Sequence, residues 1–245
     1  MKTFLYLLLG FCICLYILPV FAQEVDDNTK RNEIYHNYFE KTVLKFQAED
    51  LKTKPAKDAI VVVGSSSISF WHPTIKEDLA PLTVIPRGIS GCDISDVLYY
   101  ADKIIIPYQP RAVLIYAGEN DIVMHTTPEK VCSIFVSLID KIQKSNPEVR
   151  IYFISIKPSV SRWYLWAKMS EANRLIEAEC KKDSHLSFID ITNSLLGEDQ
   201  KPNPIYFKSD QIHLSKKGYE VWSATIKPIL IKNEEKFEIK DKEAK

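Results

Sequence analysis

The chain has 245 residues, 46% hydrophobic and 26% charged. That balance excludes a disordered or low-complexity protein and allows one domain or two small ones. Its 32 basic residues equal its 32 acidic ones, so it lacks the basic excess of a dedicated nucleic-acid binder and no nucleic-acid partner is expected.

Lys2 precedes an apolar run from Phe4 to Val20, with Pro19 near its end and Val20 and Ala22 at the −3 and −1 positions of a cleavage site. This pattern predicts a signal peptide over residues 1–22, export to the periplasm or the medium, and no stable membrane insertion after cleavage. A retained anchor is the alternative, because the run approaches the roughly 17–25 residues that span a bilayer. Beyond Ala22 only Cys92, Cys132 and Cys180 remain, which allows at most one internal disulfide. No Cys/His spacing suits zinc, and neither a metal nor a cofactor is expected.

Ile34, Tyr35, Tyr38, Phe39, Val43 and Phe46 recur at helical spacing and predict an amphipathic helix over 29–51, ended by Lys54-Pro55. A rhythm of short apolar runs comes next: Ile60–Val63, Leu82–Ile85, Ala112–Tyr116, Arg150–Ile156 and Leu186–Ile191. Near-continuous apolar runs suit strands buried on both faces. Helical stretches separate the runs. One opens at Thr127-Pro128, with Thr as cap and Pro in the first turn; another covers about 165–182; a last one opens at Ser215 and runs up to Pro228. Strands alternating with helices predict an α/β fold, a parallel sheet with helices on both faces. Residues 233–245 hold nine charges in thirteen positions and read as a solvated, frayed tail. The expected division is therefore a signal over 1–22, a helix packing on the domain within 23–58, one domain over 59–232, and the tail.

In open α/β sheets ligands bind beyond the carboxyl ends of the strands. The segments directly after the five runs are Gly64-Ser65-Ser66-Ser67, Arg87-Gly88-Ile89-Ser90-Gly91, Gly118-Glu119-Asn120-Asp121, Lys157-Pro158-Ser159 and, past a loop, Asp210-Gln211-Ile212-His213. Glycine is scarce, seven in all, so Gly64, Gly88, Gly91 and Gly118 in these positions mark places where the backbone must turn tightly. Brought to one sheet edge, the segments supply a hydroxyl nucleophile, flexible turns, a side-chain amide and a carboxylate–imidazole pair. Those are the parts of an acyl-transfer site.

From about Ile60 to Pro228 these blocks, in this order and spacing, resemble the SGNH (GDSL-type) hydrolase family. One block departs from it: the family's usual Gly-Asp-Ser is Gly-Ser-Ser here. The resemblance implies a flavodoxin-like three-layer α/β/α sandwich. It also implies a serine esterase acting on a carboxylic ester of lipid, lysophospholipid or acetylated-sugar type through an acyl-enzyme. Matched by position, Ser66 is the expected nucleophile, His213 the base and Asp210 its acid partner. Gly91 and Asn120 are expected to join the Ser66 N–H in an oxyanion hole. His125 is the rival base. Arg87 and Asp121 are expected to brace loops, Cys92 to be a packed thiol, and Arg162, Trp163 and Trp166 either to line the substrate pocket or to pack over the sheet edge. A typical α/β-hydrolase fits less well, because Ile68 stands where its elbow needs a second glycine. A non-catalytic phosphate- or carbohydrate-binding module is the competing class, since backbone N–H groups of a Gly-Ser turn can cradle phosphate. Such a module has no use for the Asp210/His213 pair.

Overall fold

The computed structural model describes residues 38–238. The expected signal peptide and the part of the first helix before residue 38 lie outside the described residues. The chain divides into a unit ending at Lys41 and a unit beginning at Thr42, and the second unit carries the fold. Its sheet has five strands: β1 (Ile60–Gly64), β2 (Val84–Gly88), β3 (Ala112–Tyr116), β4 (Arg150–Ile154) and β5 (Leu186–Ile189). They lie side by side in the order β2-β1-β3-β4-β5, and every neighbouring pair is parallel.

Side chains alternate across a strand, so each apolar run feeds two cores. Ile60, Val62, Leu114, Tyr152 and Ile154 point into a core closed by α2 (Ser66–Ser69), α3 (Ile75–Asp78) and α8 (Lys216–Glu234), with Trp71, Trp222 and Ile226 fully buried there. On the other face, Phe153 meets Phe135 edge to face at 5.1 Å. Phe135 lies on α6 (Pro128–Ser145), which packs between α4 (Ile94–Ile104) and α7 (Trp166–Cys180). The result is three layers, α/β/α. The expected class therefore holds for this unit.

Three elements differ from the sequence expectation. The second run begins as a turn, with Leu82 N–H on the Leu79 carbonyl, and the strand starts only at Val84. Pro86 is tolerated in it because β2 is an edge strand. Between the second and third runs, where the sequence names no particular helix, α4 forms. Asp93 and Asp96 close a reciprocal capping box at its start, a device usually written with Ser or Thr and Glu. The last helix does not stop at Pro228 but continues to Glu234, because residues beyond the proline are anchored in the core.

Glu234 is that anchor, and over the described residues 233–238 it corrects the expectation of a solvated tail, whose remainder lies outside the described residues. It is fully buried. Its carboxylate accepts hydrogen bonds from Arg150 at 2.5 and 2.9 Å and from Tyr152 at 2.6 Å, and from Arg111 at 3.2 Å. Glu238 accepts from the Thr83 N–H at 2.7 Å and the Thr83 hydroxyl at 2.8 Å, and pairs with Arg111. The described residues 38–41 of the first unit are helical, and at the other end of the second unit residues 42–52 are helical (α1). Asp50 there accepts from the Tyr108 hydroxyl and pairs with Arg87, whose guanidinium lies 5.0 Å over the Phe46 ring. Arg87 thus braces α1 against the edge strand.

Removing Glu234 leaves the Arg150 guanidinium and the Tyr152 hydroxyl without their acceptor, while Arg111 keeps Glu238. Glu234→Ala is expected to lower stability by about 3–5 kcal/mol, the usual cost of breaking a buried pair from one side. Urea unfolding of the full chain checks this, and a loss under about 1 kcal/mol contradicts the assigned anchoring.

Candidate active site

β1 ends in the middle of the sheet, and the backbone beyond it must leave sharply. Gly64 has φ +140°, and a Cβ there would lie 1.8 Å from the Tyr116 carbonyl oxygen of β3. Only glycine lets the two strands approach so closely and then turn. Ser65 donates its N–H to that same carbonyl at 3.0 Å, and Ser66 opens the short α2, half-exposed at the carboxyl edge. On its far side α2 is held by Tyr219 of α8, whose hydroxyl donates to the Ser67 carbonyl at 2.7 Å.

The loop before α8 brings the imidazole to this hydroxyl. Lys208 N–H bonds the His213 carbonyl at 2.7 Å, Gln211 N–H bonds the Lys208 carbonyl at 2.9 Å, and Gln211 sits at φ +57°. This tight turn lets residues three apart meet. Asp210 Oδ2 lies 2.6 Å from His213 Nδ1, while its Oδ1 accepts the N–H groups of Ile212 at 2.9 Å and His213 at 3.0 Å. His213 Nε2 lies 2.9 Å from Ser66 Oγ. Burial works to raise the Asp210 carboxyl, but the bonds from the His213 ring and the two backbone N–H groups outweigh it and hold it well below the usual carboxylate range. An ionised Asp210 fixes the tautomer with the proton on Nδ1 and the acceptor lone pair on Nε2, facing the serine. The Phe70 ring meets His213 edge to face at 4.8 Å and limits its rotation.

Opposite this pair lie the two other blocks. Gly91 is exposed at φ +89°. Asn120 lies in α5 (Glu119–Val123), entered through Gly118 at φ +105°. Asn120 Nδ2 donates to the Cys92 carbonyl at 2.8 Å, which ties the Gly91–Cys92 turn to α5. Among the described residues its second N–H has no partner. Asp121 accepts the Ile94 N–H at 3.1 Å and so braces the start of α4. Among the hydrogen bonds of the described residues, neither the Ser66 nor the Gly91 N–H has a partner. Cys92 is fully buried, and burial followed by the charges of Asp96, Asp93 and Asp121 pushes its thiol up, away from reactivity.

The other candidates fall elsewhere. His125 is exposed at φ +66°, and the imidazole at Ser66 is His213. His72 accepts the Gly88 N–H at 2.9 Å and serves the backbone. Trp163 stacks on Trp166 at 5.7 Å, both half-buried. Arg162, expected either in the substrate pocket or packed at the edge, donates from Nη1 to Asn120 Oδ1 at 3.1 Å and lies 3.0 Å from Glu119 Oε1. Sequence reasoning missed the group behind it. Glu119 Oε2 accepts the Tyr116 hydroxyl at 2.8 Å and pairs with the wholly buried Lys157. The available signal was a charged residue close after each of two apolar strands.

Residues 61–221 match the profile of the GDSL-like Lipase/Acylhydrolase family. Among curated proteins none matches the sequence. Solved structures share the fold. A GDSL-like lipase from Bacteroides thetaiotaomicron VPI-5482 superposes with TM-score 0.66 at 22% identity, over 78% of this chain and 97% of that one. An acetyl-xylooligosaccharide esterase from Geobacillus Stearmophilus gives 0.58 at 15%, over 70% and 93%. A family 3 carbohydrate esterase from Clostridium thermocellum gives 0.57 at 14%, over 72% and 96%.

Beside the site, burial and then the neighbouring Asp93 charge raise the carboxyl of Asp96 to about 8 and that of Asp121 to about 7. The folded state therefore keeps protons that the unfolded chain releases near pH 4, so stability is lost as pH rises toward 8. Burial lowers His72 to about 4, so its opposing contribution, gained as pH rises through about 4 to 6.5, is nearly complete by about pH 7.5 and flat above it. Asp96→Asn keeps an acceptor for the Asp93 N–H. It is expected to flatten the fall in melting temperature between about pH 6.5 and 8.5. Parallel curves for the two proteins would refute the assignment.

Proposed function

We propose, from the premise that this chain belongs to the GDSL-like lipase/acylhydrolase family and is a carboxylic ester hydrolase, that it works by a Ser66–His213–Asp210 triad on esters of short acyl groups. The observation that carries the reading is the unbroken hydrogen-bonded chain from Asp210 through His213 to Ser66 Oγ. In the first half-reaction His213 Nε2 takes the Ser66 proton as Oγ attacks the acyl carbon. The carbonyl oxygen becomes an oxyanion, which accepts from the Ser66 and Gly91 N–H groups and the spare N–H of Asn120. His213, now imidazolium beside the Asp210 carboxylate, returns the proton to the departing alkoxide. Water then repeats the sequence on the acyl-serine, releasing the carboxylic acid and free Ser66.

Two observations favour a short acyl group on a polar alcohol over a long lipid chain. The triad is open to solvent: the side chains of His213 and Asp210 are 23% and 43% exposed. A long chain gains about 0.8 kcal/mol per methylene only where apolar walls remove it from water. Among the described residues, the Phe70 ring, the Arg162 guanidinium, the Ser161 hydroxyl and the Cys92 carbonyl touch the triad residues or the oxyanion-hole amide, and three of these four groups are polar. Sugar acetates, the substrate type named for one enzyme of the same fold, are the first class to assay. Export through residues 1–22 belongs to the same reading.

Release of p-nitrophenol from its acetate is expected to exceed release from its dodecanoate in kcat/KM, and acetylated xylo-oligosaccharides to be cleaved; the reverse order would favour a lipid substrate. Ser66→Ala is expected to lose about 10⁴-fold or more in kcat with its thermal unfolding unchanged, and retained turnover would end the mechanism. Activity should fall on acidification along a single-proton limb, as imidazolium cannot accept the Ser66 proton. Asp210, held ionised, adds no second limb.

A further inference from the structure

An asparagine side chain can serve an oxyanion hole only in one of its two orientations. Turned by 180°, it presents its carbonyl oxygen where the amide N–H should be and repels the developing charge. Nothing covalent separates the two states, so neighbours must decide. At Asn120 they decide from both ends. Nδ2 donates to the Cys92 carbonyl at 2.8 Å, and Oδ1 accepts from Arg162 at 3.1 Å. In the flipped amide an NH₂ would face the guanidinium and an oxygen would face a carbonyl, so both contacts would become repulsive.

Arg162 needs a holder of its own, since a lone arginine pays side-chain entropy to stay in one place. Glu119 supplies it. That carboxylate lies one residue before Asn120, 3% exposed, and meets Arg162 at 3.0 Å. It is held from behind by the Tyr116 hydroxyl at 2.8 Å and by the buried Lys157. Burial works to raise the Glu119 carboxyl, but the charges of Lys157 and Arg162 outweigh it and keep it below the usual range. Glu119 therefore stays ionised across the working pH range, and a guanidinium does not deprotonate.

We propose that Arg162, held by the buried Glu119–Lys157 pair, is a positioning residue that locks the Asn120 amide with its free N–H toward the oxyanion. This rests on the esterase reading above. Arg162 touches no reacting atom and acts through Asn120, so its loss removes an interaction realised in the transition state and leaves ground-state binding alone.

The test is steady-state kinetics on the full chain with p-nitrophenyl acetate, for Arg162→Met, Asn120→Ala and the double variant. Removing one oxyanion donor costs about 10²–10³ in kcat; Arg162→Met, which unlocks that donor, is expected to cost about 10–100-fold in kcat with KM within about threefold. The acid limb of the pH profile should stay where it is, because His213 is not touched. In the Asn120→Ala background the same substitution should cost less than about twofold, since the group it positions is gone. Losses that multiply in the double variant would mean that Arg162 acts independently of Asn120 and would overturn the proposal. So would a rise in KM at unchanged kcat, which is the signature of a substrate-binding residue. Should Arg162→Met fail to fold, Arg162→Lys keeps the charge and most of the packing and is judged by the same double-variant criterion. A Ser66→Ala enzyme that stays active sinks the esterase reading itself. A dead Ser66→Ala beside a fully active Arg162→Met sinks only the lock.

Discussion

One hydrogen bond, 2.9 Å long, joins Ser66 and His213 across 147 positions of sequence, and much of the architecture serves to make that contact. The serine is placed by β1, a central strand whose last residue can turn away only because Gly64 has no Cβ to strike Tyr116. The imidazole is placed by a turn that closes just before α8. That turn is seated by Gly218, where a Cβ would come within 2.2 Å of the Tyr206 carbonyl oxygen. Tyr219, next in the chain, bonds the Ser67 carbonyl. The same helix thus presses against the element that bears Ser66 and continues from the loop that bears His213.

Two buried charge networks lie at opposite ends of the sheet. At the amino ends, Arg111 and Arg150 flank Glu234 and pin the end of α8. At the carboxyl ends, Lys157 and Arg162 flank Glu119. Buried ion pairs are weak sources of stability compared with apolar packing, because desolvation offsets most of their attraction. What they supply is direction: each partner has few acceptable positions once it is out of water. One stands against a helix end that continues past a proline and the other behind the Asn120 amide.

The strands and their parallel arrangement were legible because a doubly buried strand shows itself in a run of neighbouring residues. Ile60–Val63 is apolar throughout, and no partner has to be known to see it. The site blocks were legible in type for a similar reason: glycine, serine, asparagine, and an acid three residues before a histidine each stand directly in the chain. The start of β2 and the capping box of α4 were not legible. Leu82-Thr83 has the composition of a strand while its backbone serves a turn, and Asp93-x-x-Asp96 lacks the usual Ser or Thr and Glu. Arg162 carried a plain signal of charge but no signal of direction.

By itself the sequence determined which residue types reach the carboxyl edge of a parallel sheet, since the order of apolar runs and of the segments after them is a property of near neighbours. Tertiary structure alone decided which of those residues face one another. Arg162 turns to Asn120 and Glu119 because β3 and β4 are adjacent in the strand order and bring two edges together. Glu234 is buried because it arrives beside Arg150 and Tyr152 across 84 and 82 positions. Local spacing holds no record of contacts at such range; they arise from strand order and register, which the packing of both sheet faces sets together.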